Sequence, residues 1–383
     1  MTHPPTPRTA PGTLHGSAAR RALRHAAGLL LLASLPSAID AMVQLGHLYG
    51  VTWPQRTVHY LNVINCAVAV ALFFWLAWTV IGRTTLDRVT WRWRLVQRGV
   101  AVLCGTANLY VAAPGHGFGS FDGAILGITL AWLALEVCRS HGIVLERASG
   151  ETDPRRRRAL TWDLSERAFG VCFLGSLAAS LLMWPLRLLG PETLPVMGDQ
   201  LTTLGISSIG DVLAGVILAA ALEDVVIVAA TAALMTASNR PLWQIYTTIG
   251  LVEIAVHAYF GLPAIGMLAF AMGRIKLFLL YGRVLPLIFG HVAFDLTGIL
   301  SMSLPRLYSY VVVVLLLLVL LQIGKRVKAP AFPDASSAVL SPAIRELILH
   351  KPPRDTPVAC AGSQSDAASA SDGPPAETAD KTT

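Results

Sequence analysis

The chain alternates long unbroken apolar runs with short polar breaks. It lacks the 3.6-residue and two-residue periodicities of half-buried helices and strands. Clear runs cover 58–82, 167–186, 204–236, 244–260 and 307–323. Crossing a hydrocarbon core takes about 20 residues of helix. The pattern predicts spans at 26–43, 58–82, 99–114, 122–138, 167–186, 204–236, 244–260, 264–282, 284–300 and 307–323. The expected fold class is all-α, a polytopic transmembrane bundle of about ten helices.

Composition agrees: 54% of the 383 residues are hydrophobic and 14% charged, against about 25% charged in soluble domains. A net charge of +7 raises nucleic acid as a partner, but the distribution argues for topology instead. Segments on one side of the predicted spans hold 25 Lys/Arg, and those on the other hold only Arg56, Arg187 and Arg306. By the positive-inside rule both termini are expected in the cytosol. The run Arg155–Arg158 is then a topology determinant, and no nucleic-acid partner is expected.

Residues 1–25 read as a disordered cytosolic segment, 26–200 as N-terminal transmembrane helices, 201–324 as a distinct polar-bearing core and 325–383 as a largely disordered cytosolic tail. The first helix is expected to be uncleaved and interrupted by Pro36 and Asp40. Cys66, Cys104, Cys138, Cys172 and Cys360 are scattered singly, so neither a disulfide framework nor a cysteine metal site is indicated.

Ionisable side chains inside spans are costly and need a partner. In the first half Asp40, Asn62, Asn65, Asn108 and Glu136 stand apart and read as helix–helix glue. The second half is different. Glu223 and Asp224 are adjacent in one run, Glu253 and His257 lie four apart on the next, and His291 and Asp295 four apart on a later one. Residues four apart share a helix face. Three such helices are expected to turn these groups toward one shared cavity. Imidazoles and carboxylates without a Ser or Cys nucleophile favour hydrolysis by activated water. A glutamate would be the base, with histidines binding the oxyanion or a divalent metal. Neighbours on an α-helix diverge by about 100°, so only Glu223 of the acidic pair is expected to face the reaction space. Arg274 and Lys276 read as snorkelling toward the inner surface.

The order and spacing of these residues resemble the CPBP family of intramembrane proteases, which includes type II CAAX prenyl endopeptidases and bacteriocin-processing or immunity proteins. Its E-E-x-x-x-R motif corresponds to Glu223-Asp224-Val225-Val226-Ile227-Val228, its F-x-x-x-H motif to Glu253 through His257, and its H-x-x-x-N/D motif to His291 through Asp295. The resemblance makes 201–324 a protease-like core. It implies an endopeptidase acting on a membrane-associated or prenylated protein or peptide, in a multi-pass chain of a bacterial inner or plasma membrane whose partners are that substrate and the lipid bilayer. It implies catalytic roles for Glu223, Asp224, His257, His291 and Asp295, with Glu253 auxiliary. Zinc or another divalent metal on His257, His291 and Glu223, or a metal-free glutamate mechanism, are both compatible with it. Val228 stands where the family has arginine, Asp224 where it has a second glutamate, and Glu253 where it has phenylalanine; Arg274 or Lys276 of another helix is the available substitute for that arginine, though nothing in the sequence places either nearby. Those departures admit a catalytically inactive binding or immunity protein as an alternative. A proton-coupled transporter is a third reading, and no internal repeat supports it.

Overall fold

The computed structural model describes residues 14–81, 91–113, 120–146, 153–188 and 208–302. Among them it is all helical, with no strand. In chain order the helices are α1 (Gly16–Leu48), α2 (Gln55–Ile81), α3 (Trp91–Val111), α4 (Ser120–Ser140), α5 (Pro154–Leu188), α6 (Ile209–Ala237), α7 (Leu242–Val256), α8 (Met267–Tyr281) and α9 (Leu285–Met302). Six of them, α1, α2, α4, α5, α6 and α8 with the turn before it, are long and apolar enough to cross a membrane. The chain is a multi-pass membrane protein by this measure. The expected span at 307–323 and the tail lie outside the described residues.

Among the boundaries that differ from expectation, two have visible reasons. The first helix begins at Gly16, within the stretch expected to be disordered, and runs through Pro36 without a break. Ala18, Ala19, Ala22 and Leu23 are strong helix formers. The expected interruption at Asp40 is also absent, because Gln44 donates to the Asp40 carboxylate from one turn on. Helix α5 starts thirteen residues before its apolar run, at Pro154. Proline suits a first helical position, and the Asp153 carboxylate accepts the Arg155 backbone N–H at 2.9 Å.

Helix α6 carries the central distortion. It starts on a capping box between Ser208 and Asp211 and is α-helical over Ile209–Ala219. It becomes π-helical over Ala220–Ala230 and returns to α-helix over Thr231–Ala237. Its i→i+5 bonding is continued by a side chain, since the Thr231 hydroxyl donates to the Val226 carbonyl five residues back. This segment is the axis of the bundle, with Val226 to Ala230 fully buried. Helices α7 and α8 form a hairpin joined by two short 3₁₀ turns around Gly261, whose positive φ of 76° only glycine adopts without strain. Helix α5 lies tightly along α8 and α9, where a side chain on Gly175, Gly273 or Gly290 would overlap its partner helix.

Of the polar residues of the first half, Asn108 joins two helices, while Asp40 and Glu136 accept from side chains of their own helices. Asn108 donates to the Thr129 hydroxyl and the Cys104 carbonyl, both at 2.8 Å. Glu136 accepts from Trp132 and Arg139.

Candidate functional site

The six expected residues converge. Glu223 and Asp224 come from the π segment of α6, Glu253 and His257 from the end of α7, and His291 and Asp295 from α9. All six are buried or nearly so, with Asp224 and Glu253 completely enclosed.

Their centre is one of the two cations that the sequence offers in place of the arginine absent at Val228. Arg274 of α8 is fully buried. Its Nη1 donates to Asp224 at 2.9 Å and Glu223 at 3.2 Å, and its Nη2 donates to Glu253 at 2.6 Å. The guanidinium also lies 3.9 Å from the centre of the Phe270 ring, one turn earlier on α8. The expected snorkelling of Arg274 is thus wrong: three carboxylates in the interior hold the cation more strongly than the interface would. A mid-span arginine one turn after an aromatic ring, beside Gly273, was the available signal.

Adjacent carboxylates both reach Arg274 Nη1 because of the π turn. An i→i+5 helix has more residues per turn than an α-helix, so neighbours diverge less than the roughly 100° of α geometry. The expectation that only one of the two faces the cluster needs that correction. They still differ in access: the Glu223 side chain is 12% exposed and Asp224 is 0%.

Both imidazoles have a defined orientation. His257 Nδ1 lies 2.9 Å from the Glu253 carbonyl oxygen. A carbonyl only accepts, so Nδ1 carries the proton and Nε2 of the neutral ring is left with its lone pair. His291 Nδ1 lies 3.0 Å from the Asp224 carboxylate and is oriented in the same way. Each Nε2 then faces Glu223, that of His257 at 3.9 Å from Oε1 and that of His291 at 3.9 Å from Oε2. Asp295 flanks His291 Nε2 at 3.6 Å. A gap of 3.9 Å is too long for a direct hydrogen bond, and leaves both Nε2 atoms and the carboxylate open to a shared water or ion beside them.

No protein-family profile, characterised protein or solved structure matches this chain. The functional reading therefore rests on this geometry.

The donor set also fits a divalent cation. Glu223, Glu253 and His257 offer ligand atoms within 4.8 Å of one another. Glu253 Oε2 is buried without a hydrogen-bond partner, an exposed need in a group that would otherwise be costly to enclose. His291 faces the same Glu223 carboxylate from the other side. A single guanidinium against the carboxylates of Glu223, Asp224, Glu253 and Asp295 leaves the cluster with excess negative charge, which favours a metal or protons. Aromatic rings close the surroundings: Phe260 stacks parallel to His257, and Phe270 meets His291 edge-on.

Proposed function

We propose that this protein is an intramembrane endopeptidase of the CAAX-protease-like CPBP type, cleaving a membrane-associated or prenylated protein or peptide. The observation that carries the reading is the Glu223 carboxylate held between two imidazole Nε2 atoms, each 3.9 Å away and open to a shared water. That is the arrangement a general base needs to hold a water and remove its proton during attack on a carbonyl. Arg274 orients the Glu223 carboxylate, and Asp224 sets the tautomer of His291, as a carboxylate does behind a working histidine. Once it takes a second proton and becomes an imidazolium, either ring would donate from Nε2 to the developing oxyanion. Glu223, Glu253 and His257 would hold a divalent metal such as zinc, which polarises the carbonyl and acidifies bound water. The charge pattern of the sequence supports placing both termini in the cytosol, and the resemblance implies a bacterial plasma membrane.

The inactive-relative alternative drew its force from the absent arginine at Val228 and from the glutamate at 253, and the first of these is now answered. Arg274 supplies a cation to the same two carboxylates from another helix, so that argument loses weight. The test is Glu223→Gln in protein reconstituted into liposomes with membrane-anchored, lipidated reporter peptides. Cleavage is expected to fall by about 10²–10⁴-fold with the thermal unfolding profile retained. Wild-type cleavage by the Gln variant would refute Glu223 as base, and no cleavage by the wild type across such reporters would refute the endopeptidase assignment.

A further inference from the structure

A second polar cluster lies outside the site, where the α4–α5 connection crosses the turn between α8 and α9. Helix α4 is closed two residues past its end by Gly142, whose φ of 73° is left-handed, with Gly142 and Ile143 N–H groups turned back onto α4 carbonyls. The chain leaves extended. Ile143 and Leu145 are buried in the core shared with Val284 and Leu287, while Val144 between them points outward. Glu146 follows at the edge of this extended segment and forms an antiparallel bridge with Arg283 of the α8–α9 turn.

The Glu146 carboxylate makes two different contacts there. Oε1 accepts from Arg283 Nε at 2.8 Å, and Oε2 accepts from the backbone N–H of Leu285 at 3.0 Å. The second satisfies one of the donors that the start of α9 leaves open, and it sets a negative charge at the positive end of that helix. Arg283 is itself buried and donates from Nη2 to Thr161 of α5 at 2.9 Å. One carboxylate therefore ties three elements: α5, the turn, and the first residue of α9. The turn is tight, pivoting on Gly282 at φ 64°. Arg274 lies eight residues before Gly282, and His291 lies six residues after Leu285, or about 9 Å along α9.

We propose that Glu146 is a positioning residue for the buried cluster, clamping the α8–α9 turn so that Arg274 and His291 keep their mutual placement around Asp224. The clamp concerns geometry and stands whether or not the site hydrolyses peptides; only its kinetic readout rests on the endopeptidase reading. A cap that merely stabilised the end of α9 would not alter the ring of His291.

The test uses full-length protein labelled with ¹⁵N-histidine in nanodiscs, with the His291 Nδ1–H signal assigned by its loss in His291→Gln. Glu146→Ala is expected to shift or broaden that signal. Glu146→Gln keeps an acceptor for Leu285 and removes the ion pair, so it is expected to give a smaller shift in the same direction, and it serves if the Ala variant does not fold. Where cleavage is measurable, kcat is expected to fall by roughly 10- to 100-fold with KM unchanged. An unaltered His291 signal in the folded variants would overturn the clamp. A shifted signal in a protein without cleavage would keep the clamp and count against the endopeptidase instead.

Discussion

Arg274 Nη2 and Glu253 Oε1 meet at 2.6 Å with both side chains fully enclosed. Each is a departure from what its helix alone would choose, and together they make a pair. Removing one partner of a buried ion pair leaves the other charge uncompensated, typically at a cost of about 3–5 kcal/mol. Arg274→Ala is therefore expected to lower stability by at least that amount, since three carboxylates lose their donor. Adding Glu253→Ala to it should recover part of the loss. Thermal unfolding of the two single variants and the double variant in one detergent measures the coupling, and strictly additive losses would show that the pair is not a unit. Arg274→Lys keeps the charge without the fork that reaches all three acids, and is expected to be intermediate.

Gly290 precedes His291 at the closest approach of α9 to α5. A Cβ there would lie 2.5 Å from the Ser165 carbonyl oxygen and 2.6 Å from the Ala168 Cβ. Backbone cannot give way as a flexible side chain can. Gly290→Ala is expected to cost about 1–3 kcal/mol and to disturb the His291–Asp224 hydrogen bond. Gly298→Ala, with open space around it, is the control and should unfold like the wild type.

The spans of the helices were legible because the bilayer imposes long apolar runs, and each described helix falls on a predicted one. The i,i+4 pairs Glu253/His257 and His291/Asp295 were legible for the same reason, since a shared face needs only the helical period. The position of Arg274 was not. A lone cation in a span is satisfied either by the interface or by buried acids, and only the packing of α8 against α6 and α7 decides between them. The π segment was equally hidden: Ala220–Ala230 contains no glycine or proline to mark a change of hydrogen bonding. Nor did sequence connect Glu146 to Leu285, because 139 residues separate them. Charge counting fixed the expected side for this connection, but not what it touches.

Val228 shows the consequence for redesign. Alignment with the family pattern invites Val228→Arg to restore a motif. The side chain at 228 is fully buried in the apolar core, and Asp224 and Glu223 already have their cation. A second guanidinium would be enclosed in that apolar core, at a cost of several kcal/mol, roughly the penalty of an unpaired buried charge. Val228→Arg is expected to aggregate or to melt far below wild type on size-exclusion and thermal assays, whereas Val228→Ile should differ little.

His141, just beyond the end of α4, gives a pH dependence remote from the site. Its Nε2 lies 3.0 Å from His25 Nδ1 of α1, a hydrogen bond that needs one of the two nitrogens unprotonated. Partial burial, then His25 and Arg21, press the His141 imidazole from its ordinary 6.5 down to about 4. The folded state thus resists a proton that the unfolded chain accepts. Above pH 6.5 neither state is protonated at this ring and its full contribution is present. As the pH falls from 6.5 toward 4 the unfolded state gains protons first, and stability is lost across that window. His141→Gln keeps a hydrogen-bonding side chain without the titration, so its stability should fall less steeply between those pH values. Matching acid slopes for the wild type and His141→Gln would place the pH sensitivity elsewhere in the bundle.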